Sequence, residues 1–146
     1  MNILQGNIIE ITTENEISLV KIDAGGQVLT SIVIDTPEGS AYLKIGHPVR
    51  LLFKETEVMI AVTSPLAISV QNRIECRIRE ITTGKLLCDL GLDILNNPAS
   101  SGDLPGNSNR QIRSIITRNA CEQLSLQPGD KVTALIKTNE VTLSSS

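Results

Sequence analysis

Three short segments of the chain are rich in groups that can donate hydrogen bonds: Ser69–Asn72, Thr117–Ala120 and Lys137–Asn139. Hydroxyl, amide and ammonium groups all donate to anions, and backbone N–H groups at the start of a helix favour the same kind of ligand. Taken singly, each segment is also explained by a turn before a strand, a helix cap or a solvated loop. The chemistry that they offer is hydrogen-bond donation to an anion.

The residues on which most enzymes and metal sites depend are scarce. His47 is the only histidine, and the cysteines Cys76, Cys88 and Cys121 form no CxxC, HxxxH or HExxH spacing. Such a sequence lacks the usual zinc sites and most Cys/His nucleophile arrangements. Since no poised base or nucleophile stands out either, we expect neither catalysis nor a metal-ion site.

Aromatic residues are nearly absent, since the 146 residues include one Tyr, one Phe and no Trp. Proteins that hold single-stranded nucleic acid stack bases on aromatic side chains and follow the backbone with a basic groove. Here 13 Lys and Arg stand against 16 Asp and Glu, which gives a net charge of −3. We therefore expect no nucleic acid among the partners.

The overall composition is that of an ordinary globular protein, with 40% hydrophobic and 20% charged residues. No stretch approaches the roughly 20 apolar residues of a membrane span, and the first residues do not have the pattern of a signal peptide. An odd number of unpatterned cysteines favours reduced thiols. The sequence thus predicts a cytoplasmic protein without membrane insertion.

The elements that must position the donor-rich segments are mostly strands. Apolar and charged residues alternate with period two in Ile74–Arg79, as expected for a strand with one buried face. Similar alternation occurs at 49–53, 86–92 and 132–136. A helix of about two turns is predicted from a capping box at Asn119–Glu122, and the Pro-Gly turn at 128–129 ends it.

The sequence also repeats itself. Residues 49–58 align with 132–141 at an offset of 83, whereas Glu-Ile-Thr-Thr at 10–13 recurs at 80–83 with an offset of 70. The two offsets differ by 13 residues, so the second copy must contain an insertion of that length. A Pro-, Gly-, Ser- and Asn-rich loop near 96–109 fits this insertion.

The repeat divides the chain into a first unit, 1–66, and a second unit, 67–146. Each unit has the order strand, strand, strand, short helix, strand, strand, which is that of a five-stranded Greek-key barrel of the OB type. The predicted fold class is all-β, with two tandem OB-like barrels and one short helix in each. Small cores with few aromatic residues favour packing of the two units and an oligomer. A pair of barrels without any site is the alternative on pattern alone.

In their order and spacing, the donor-rich segments resemble the Mop domains of molbindins, which are called TOBE domains when they follow transporter ATPases. The family motif Ser-Ala-Arg-Asn is similar to Ser69-Val70-Gln71-Asn72. The motif Ile-Thr-x-x-Ser-x-x-x-Leu-x-Leu-x-x-Gly is similar to residues 116–129, and Ile-Lys-Ala-Ser-x-Val is similar to 136–141. The resemblance covers the second unit nearly end to end and the first unit more weakly.

This resemblance implies a molybdate or tungstate ligand, no cofactor, and a homotrimer with oxyanions held between subunits. Molybdate is a dianion that only accepts hydrogen bonds, so donors without carboxylates suit it better than protonated phosphate. The oxyanion-binding residues that the resemblance implies are Ser69, Val70, Gln71, Asn72, Thr117, Ala120, Lys137, Thr138 and Lys54. The first four form one wall. Lys137, Thr138 and the helix start form the other, which a neighbouring subunit is expected to supply.

Some residues depart from the family pattern. Gln71 stands where the family has Arg, which lowers the positive charge of the site, and Ala120 replaces a Ser hydroxyl. In the first unit, Glu55 follows Lys54 where a small residue is usual, which places a negative charge beside an anion site. We therefore expect the first unit not to form a full site of its own, although Lys54 could complete the site around Ser69–Asn72.

Three functions follow as alternatives. The first is a non-enzymatic protein that stores or buffers molybdate or tungstate. In the second, the two units are the C-terminal sensing module of a transporter ATPase or a transcription regulator whose effector part lies outside this chain. The third is an oligomeric OB-type scaffold that does not bind a ligand, which the departures at Gln71, Ala120 and Glu55 favour.

Overall fold

The computed structural model describes residues 1–63, 67–95 and 111–145, in which regular structure is almost entirely β. One five-stranded sheet contains β1 (Asn2–Glu14), β2 (Ile17–Ala24), β3 (Gln27–Val33), β4 (Pro48–Phe53) and β10 (Thr142–Ser145). The other contains β5 (Met59–Ala61), β6 (Asn72–Thr83), β7 (Leu87–Ile94), β8 (Gln111–Thr117) and β9 (Lys131–Ile136). The helix α1 spans Arg118–Gln123. The predicted all-β class is confirmed.

The last strand of each half belongs to the sheet of the other half. The strand orders are β10-β4-β1-β2-β3 and β5-β9-β6-β7-β8. Leu143 of β10 pairs with Leu51 of β4, and Met59 of β5 pairs with Leu135 of β9, both antiparallel. Five strands in each sheet agree with the prediction, but the exchange of the fifth strand was not predicted. Period-two patterns show which residues form strands and not which distant edge a strand joins.

The sequence repeat corresponds to equivalent positions in the fold. β1 and β6 each contain a bulge directly after an isoleucine, Ile8 and Ile78 respectively. At each bulge a glycine with positive φ donates its N–H to that isoleucine carbonyl, Gly46 to Ile8 and Gly129 to Ile78, both at 2.7 Å. Both sequence offsets, 70 residues before the insertion and 83 after it, therefore relate equivalent positions of one structural repeat.

One continuous core is filled mainly by aliphatic side chains from both halves. Its largest fully buried members include Leu4, Leu51, Phe53, Ile74 and Leu90. Because Phe53 is the only phenylalanine, most of the hydrophobic stabilisation comes from Ile, Leu and Val burial.

Residues 34–47, all of which the structure describes, form no α-helix between β3 and β4, so the helix predicted there is wrong. The chain instead makes a turn in which the Gly39 and Ser40 N–H groups both donate to the Thr36 carbonyl at 3.0 Å. Pro37 follows Thr36 in the position that favours a type I turn. The Asp35 carboxylate accepts from Ser40 Oγ and the Thr36 N–H, and these bonds, the Ser40 bond first, lower the pKa of Asp35.

In the second half, α1 begins earlier than the sequence predicted. Its N-cap is Thr117, whose Oγ1 accepts the Ala120 N–H at 3.0 Å. Thr117 has the extended backbone typical of an N-cap, with φ −69° and ψ 149°. The capping box predicted at Asn119 is therefore wrong, because Asn119 already lies in the first helical turn.

Two predicted features fall outside the described residues. They are the insertion near 96–109 and the junction of the two units, where residues 64–66 are not described. Within the three described ranges, no helix is both long enough and apolar enough to cross a membrane.

Two buried serines donate hydrogen bonds to the residues just before the exchanged strands, and replacing either serine by alanine should destabilise the fold. Ser31 Oγ donates to the Val141 carbonyl at 2.6 Å and Ser114 Oγ to the Val58 carbonyl at 2.7 Å. Each carbonyl directly precedes an exchanged strand. Ser31→Ala or Ser114→Ala leaves that carbonyl without its donor, and we expect the free energy of unfolding to fall by about 1–3 kcal/mol. Urea unfolding measures this loss in the free energy of unfolding. An equal loss in the exposed control Thr142→Ala would contradict this role.

Candidate functional site

Two of the three donor-rich segments meet in one pocket. A cavity of about 210 Å³ is lined by Ser69, Val70, Gln71, Lys137, Thr138 and Asn139. These residues meet because β6 begins at Asn72, β9 ends at Ile136, and those two residues are direct antiparallel partners. The structure thus brings Ser69–Gln71 of the first predicted wall and Lys137 and Thr138 of the second together within one chain.

The charge of this pocket comes from Lys137. The Lys137 side chain is exposed. Among the described residues, no carboxylate forms an ion pair with its ammonium group. The other lining side chains are hydroxyls, amides and the buried Val70. Beyond Lys137 the chain forms a short 3-10 turn, Thr138–Glu140, closed by the Glu140 N–H on the Lys137 carbonyl at 3.0 Å. The pocket is therefore positive and rich in donors.

A residue that the sequence analysis did not single out holds the opposite wall in place. Arg73 donates from Nε to the Val70 carbonyl at 2.9 Å and from Nη2 to the Ile68 carbonyl at 2.7 Å. These bonds fix the segment that carries Ser69 just before β6. This role could have been predicted from the sequence, since Arg73 directly follows the motif at 69–72 and a guanidinium group can bind several carbonyls of one turn.

Asn72, predicted in this wall, uses its side chain elsewhere. Its Oδ1 accepts the Thr30 N–H at 2.7 Å, its Nδ2 donates to the Thr30 carbonyl at 2.8 Å, and it is 1% exposed. The equivalent Asn2 makes the same pair of bonds to the Arg113 backbone, at 2.8 and 2.9 Å. The two asparagines thus join the halves of the molecule, and the Asn72 side chain does not line the pocket.

The third donor-rich segment lies apart from this pocket. Thr117 ends β8 opposite Leu87, and its hydroxyl oxygen is occupied by the Ala120 N–H as the cap of α1. Neither Thr117 nor Ala120 lines the cavity around Lys137. Within one chain, the structure therefore does not bring the helix start to the other donors.

Lys54 lines a different pocket, at the position equivalent to Lys137 in the first half. This second cavity of about 330 Å³ also contains Glu57, Asn139 and Glu140. The Lys54 N–H donates to Glu57 Oε1 at 2.7 Å. Asn139 lines both cavities, so the two pockets are neighbours. The carboxylates at the second cavity make it a poorer anion site than the pocket around Lys137.

The groups that line the pocket around Lys137 are suited to a small anion and not to a metal ion. Its lining contains no His, Cys, Asp or Glu. Across the described ranges, no three such residues lie close enough to hold a metal ion. Charge-assisted hydrogen bonds from Lys137, supplemented by hydroxyl and amide donors, are the chemistry that remains.

Several known proteins are similar to this chain in sequence or in fold. The family model described as the TOBE domain matches residues 101–143. The molybdenum-pterin-binding protein MopB of Rhodobacter capsulatus is 31% identical over 119 residues, which cover 81% of this chain and 40% of MopB. The molybdenum import ATP-binding protein ModC of Rhizobium etli is 38% identical over 99 residues, 68% of this chain and 24% of ModC. The chain thus spans less than half the length of either relative.

The fold also matches a solved structure over nearly its whole length. The cytoplasmic molybdate-binding protein ModG, in a crystal form with molybdate bound, superposes with a TM-score of 0.84 and 22% identity. The match covers 99% of this chain and 96% of that one. The chain is therefore a relative of MopB and ModC that contains a match to the TOBE domain, and it has the fold of ModG.

Proposed function

We propose that this chain binds molybdate or tungstate in the pocket between the start of β6 and the end of β9, and that it stores or buffers the oxyanion in the cytoplasm without catalysis. The observation that carries the proposal is a lining of ammonium, hydroxyl and amide groups without a carboxylate. The molybdenum-related names of MopB and ModC, and the description of ModG as a cytoplasmic molybdate-binding protein, support this ligand and location.

The pocket lining should favour molybdate and tungstate over phosphate because these anions differ in whether they carry a proton. A tetrahedral dianion accepts hydrogen bonds at every oxygen, so Lys137, Thr138, Ser69 and Gln71 can all donate to it. Phosphate near neutral pH keeps a proton that needs an acceptor, and a carboxylate would be the natural one. Its absence from this pocket therefore favours molybdate and tungstate over phosphate.

The proposal includes a homotrimer in which Thr117 and Ala120 of one subunit approach the Lys137 pocket of the next. Two units, 1–66 and 67–146, would then each contribute to the contacts between subunits. Large apolar side chains at the surface would supply apolar area for contacts between subunits. They include Ile17, Val28, Ile32 and Leu87, which are 40–53% exposed.

Titration calorimetry with molybdate, tungstate, sulfate and phosphate, combined with sedimentation velocity, tests the proposal. We expect saturable binding of molybdate and tungstate, weak or absent binding of phosphate, and the mass of a trimer. If molybdate releases no heat up to millimolar concentration, the binding proposal is wrong and the non-binding scaffold is the better account. A monomer that binds molybdate would overturn the trimer alone.

A second candidate function has its own support. The 38% identity to ModC covers only 24% of that protein, as expected if two such units act as the sensing module of a larger molybdenum transporter. The full-length transcript distinguishes the two. An ATPase or a DNA-binding segment in the same reading frame would favour the sensing module over a free storage protein.

A further inference from the structure

The turn beside Lys137 is anchored by a strand from the other half of the molecule. Directly after this turn, Thr138–Glu140, the backbone at Val141 is extended, with φ −91° and ψ 115°. The Val141 carbonyl accepts a hydrogen bond of 2.6 Å from Ser31 Oγ on β3. Ser31 is 0% exposed and Val141 is 3% exposed, so water does not compete for this bond. β3 also contacts the turn itself. The end of the turn is therefore fixed by the first half.

The turn has few bonds of its own to hold it in place. It is a single 3-10 turn of three residues, and 3-10 hydrogen bonds have poorer geometry than those of an α-helix. The Glu140 N–H closes it on the Lys137 carbonyl at 3.0 Å. Its start is fixed by the pairing of Ile136 with Asn72. The position of the residues in between therefore depends on the bond from Ser31 at the other end.

The facing wall of the oxyanion pocket is held in a different way. Arg73 donates to the Val70 and Ile68 carbonyls from within the same half, at 2.9 and 2.7 Å. Loss of the bond from Ser31 should therefore displace one wall of the pocket relative to the other. Hydrogen bonds weaken steeply as their distance and angle depart from the optimum, so such a displacement should lower the affinity for an anion held between the walls.

We propose that Ser31 is a positioning residue of the oxyanion pocket, and that its hydrogen bond to Val141 holds Lys137 and Thr138 where they line the pocket together with Ser69. This role rests on the proposed function, because it concerns the affinity of the same pocket. Ser31 does not itself line the pocket, so it acts through the turn. The pocket of the second half thus requires a residue of the first half.

The sequence repeat supplies a matched control for Ser31. Ser114 is related to it by the offset of 83 residues and is also 0% exposed. The Ser114 hydroxyl donates to the Val58 carbonyl at 2.7 Å, directly after the equivalent turn, Glu55–Glu57. That turn does not line the oxyanion pocket. Ser31→Ala and Ser114→Ala therefore remove the same kind of bond, but only Ser31→Ala should affect oxyanion binding.

Amide hydrogen exchange in ligand-free protein, resolved by residue with NMR, tests whether Ser31 holds the turn. In Ser31→Ala we expect the Glu140 N–H to exchange several-fold faster than in wild type. The equivalent Glu57 N–H, which donates to the Lys54 carbonyl at 2.9 Å, should keep its wild-type rate. Ser114→Ala should give the reverse pattern. A general loss of stability would instead accelerate both amides in both variants.

Calorimetric titration with molybdate tests whether the turn sets the affinity. Folded Ser31→Ala should bind roughly 3- to 10-fold more weakly than wild type, the loss expected if the displaced turn gives up about one neutral hydrogen bond to the anion, whereas Ser114→Ala should stay within about twofold. Circular dichroism verifies that each variant is folded. If the alanine variants are not, Ser31→Cys and Ser114→Cys replace them, because a thiol is a weaker donor than a hydroxyl.

Two results would overturn the role of Ser31. One is equal molybdate affinity in folded Ser31→Ala and Ser114→Ala. The other is a Glu140 exchange rate that Ser31→Ala leaves unchanged, or that both variants raise alike. If the wild type does not bind molybdate, the proposed function is wrong, but the exchange comparison, which is made without ligand, still decides whether Ser31 holds the turn.

Discussion

Lys137→Met is expected to weaken molybdate binding by roughly 10- to 100-fold. The substitution removes the positive charge of the pocket lining and keeps an unbranched side chain of similar length. A hydrogen bond to a charged group contributes about 1.5–3 kcal/mol, which corresponds to that range of affinity. Calorimetric titration at constant ionic strength measures the change. Stability should hardly change, because the Lys137 side chain is exposed.

Lys54→Met is the matched control, since Lys54 occupies the equivalent position in the first half. It lines the neighbouring cavity with Glu57 and Glu140 and not the pocket around Lys137. We therefore expect its molybdate affinity to stay within about twofold of wild type, because an exposed charge outside the pocket is screened at physiological salt. Equal losses in both variants would place Lys54 in the site, and no loss in Lys137→Met would remove Lys137 from it.

Asn72→Ala should lower the free energy of unfolding by about 2–6 kcal/mol. The change leaves both the N–H and the carbonyl of Thr30 without their partners, in a region where Asn72 is 1% exposed. Each unsatisfied buried group costs about 1–3 kcal/mol. Urea unfolding followed by circular dichroism gives the difference, provided that the transition is two-state.

The same variant separates two roles for Asn72. If its side chain joins the two halves, Asn72→Ala is destabilised while the folded fraction binds molybdate normally. If the side chain contacts the ligand, as the family resemblance implies, affinity falls while stability is retained. Asn2→Ala provides a comparison, because Asn2 makes the same two bonds to Arg113 but is 6% exposed. We expect it to be destabilised less than Asn72→Ala.

Much of the fold could be predicted from local patterns. The period-two alternation in Ile74–Arg79 and its equivalents depends only on neighbouring residues, and the repeat required two strand-rich halves. The N-cap at Thr117 was missed because Asn119 and Glu122 satisfy the same spacing rule two residues later. The turn at Asp35–Ser40 replaced a predicted helix because its polar side chains and Pro37 satisfy the backbone locally.

The site was harder to predict than the fold. Ser69, Gln71, Lys137 and Thr138 were expected in the site, but in walls supplied by different subunits. They meet in one chain because β6 pairs with β9, and long-range pairing leaves no mark in the sequence of either strand. The role of Asn72 could not be predicted for the same reason, since its hydrogen-bond partner Thr30 belongs to the other half of the molecule. A motif indicates residue types that suit a ligand, but tertiary contacts decide which side chains stay available.

The exchange of the terminal strands has a consequence for how the chain folds. Leu51 in β4 has Leu143 in β10 as its edge partner, so the first sheet acquires its last strand only after nearly all of the described chain has been synthesised. Pairings this distant give a high contact order, which slows folding and leaves an unpaired edge of β4 exposed meanwhile. We therefore expect the two halves to unfold and refold as a single cooperative unit, with slow kinetics, and not one after the other.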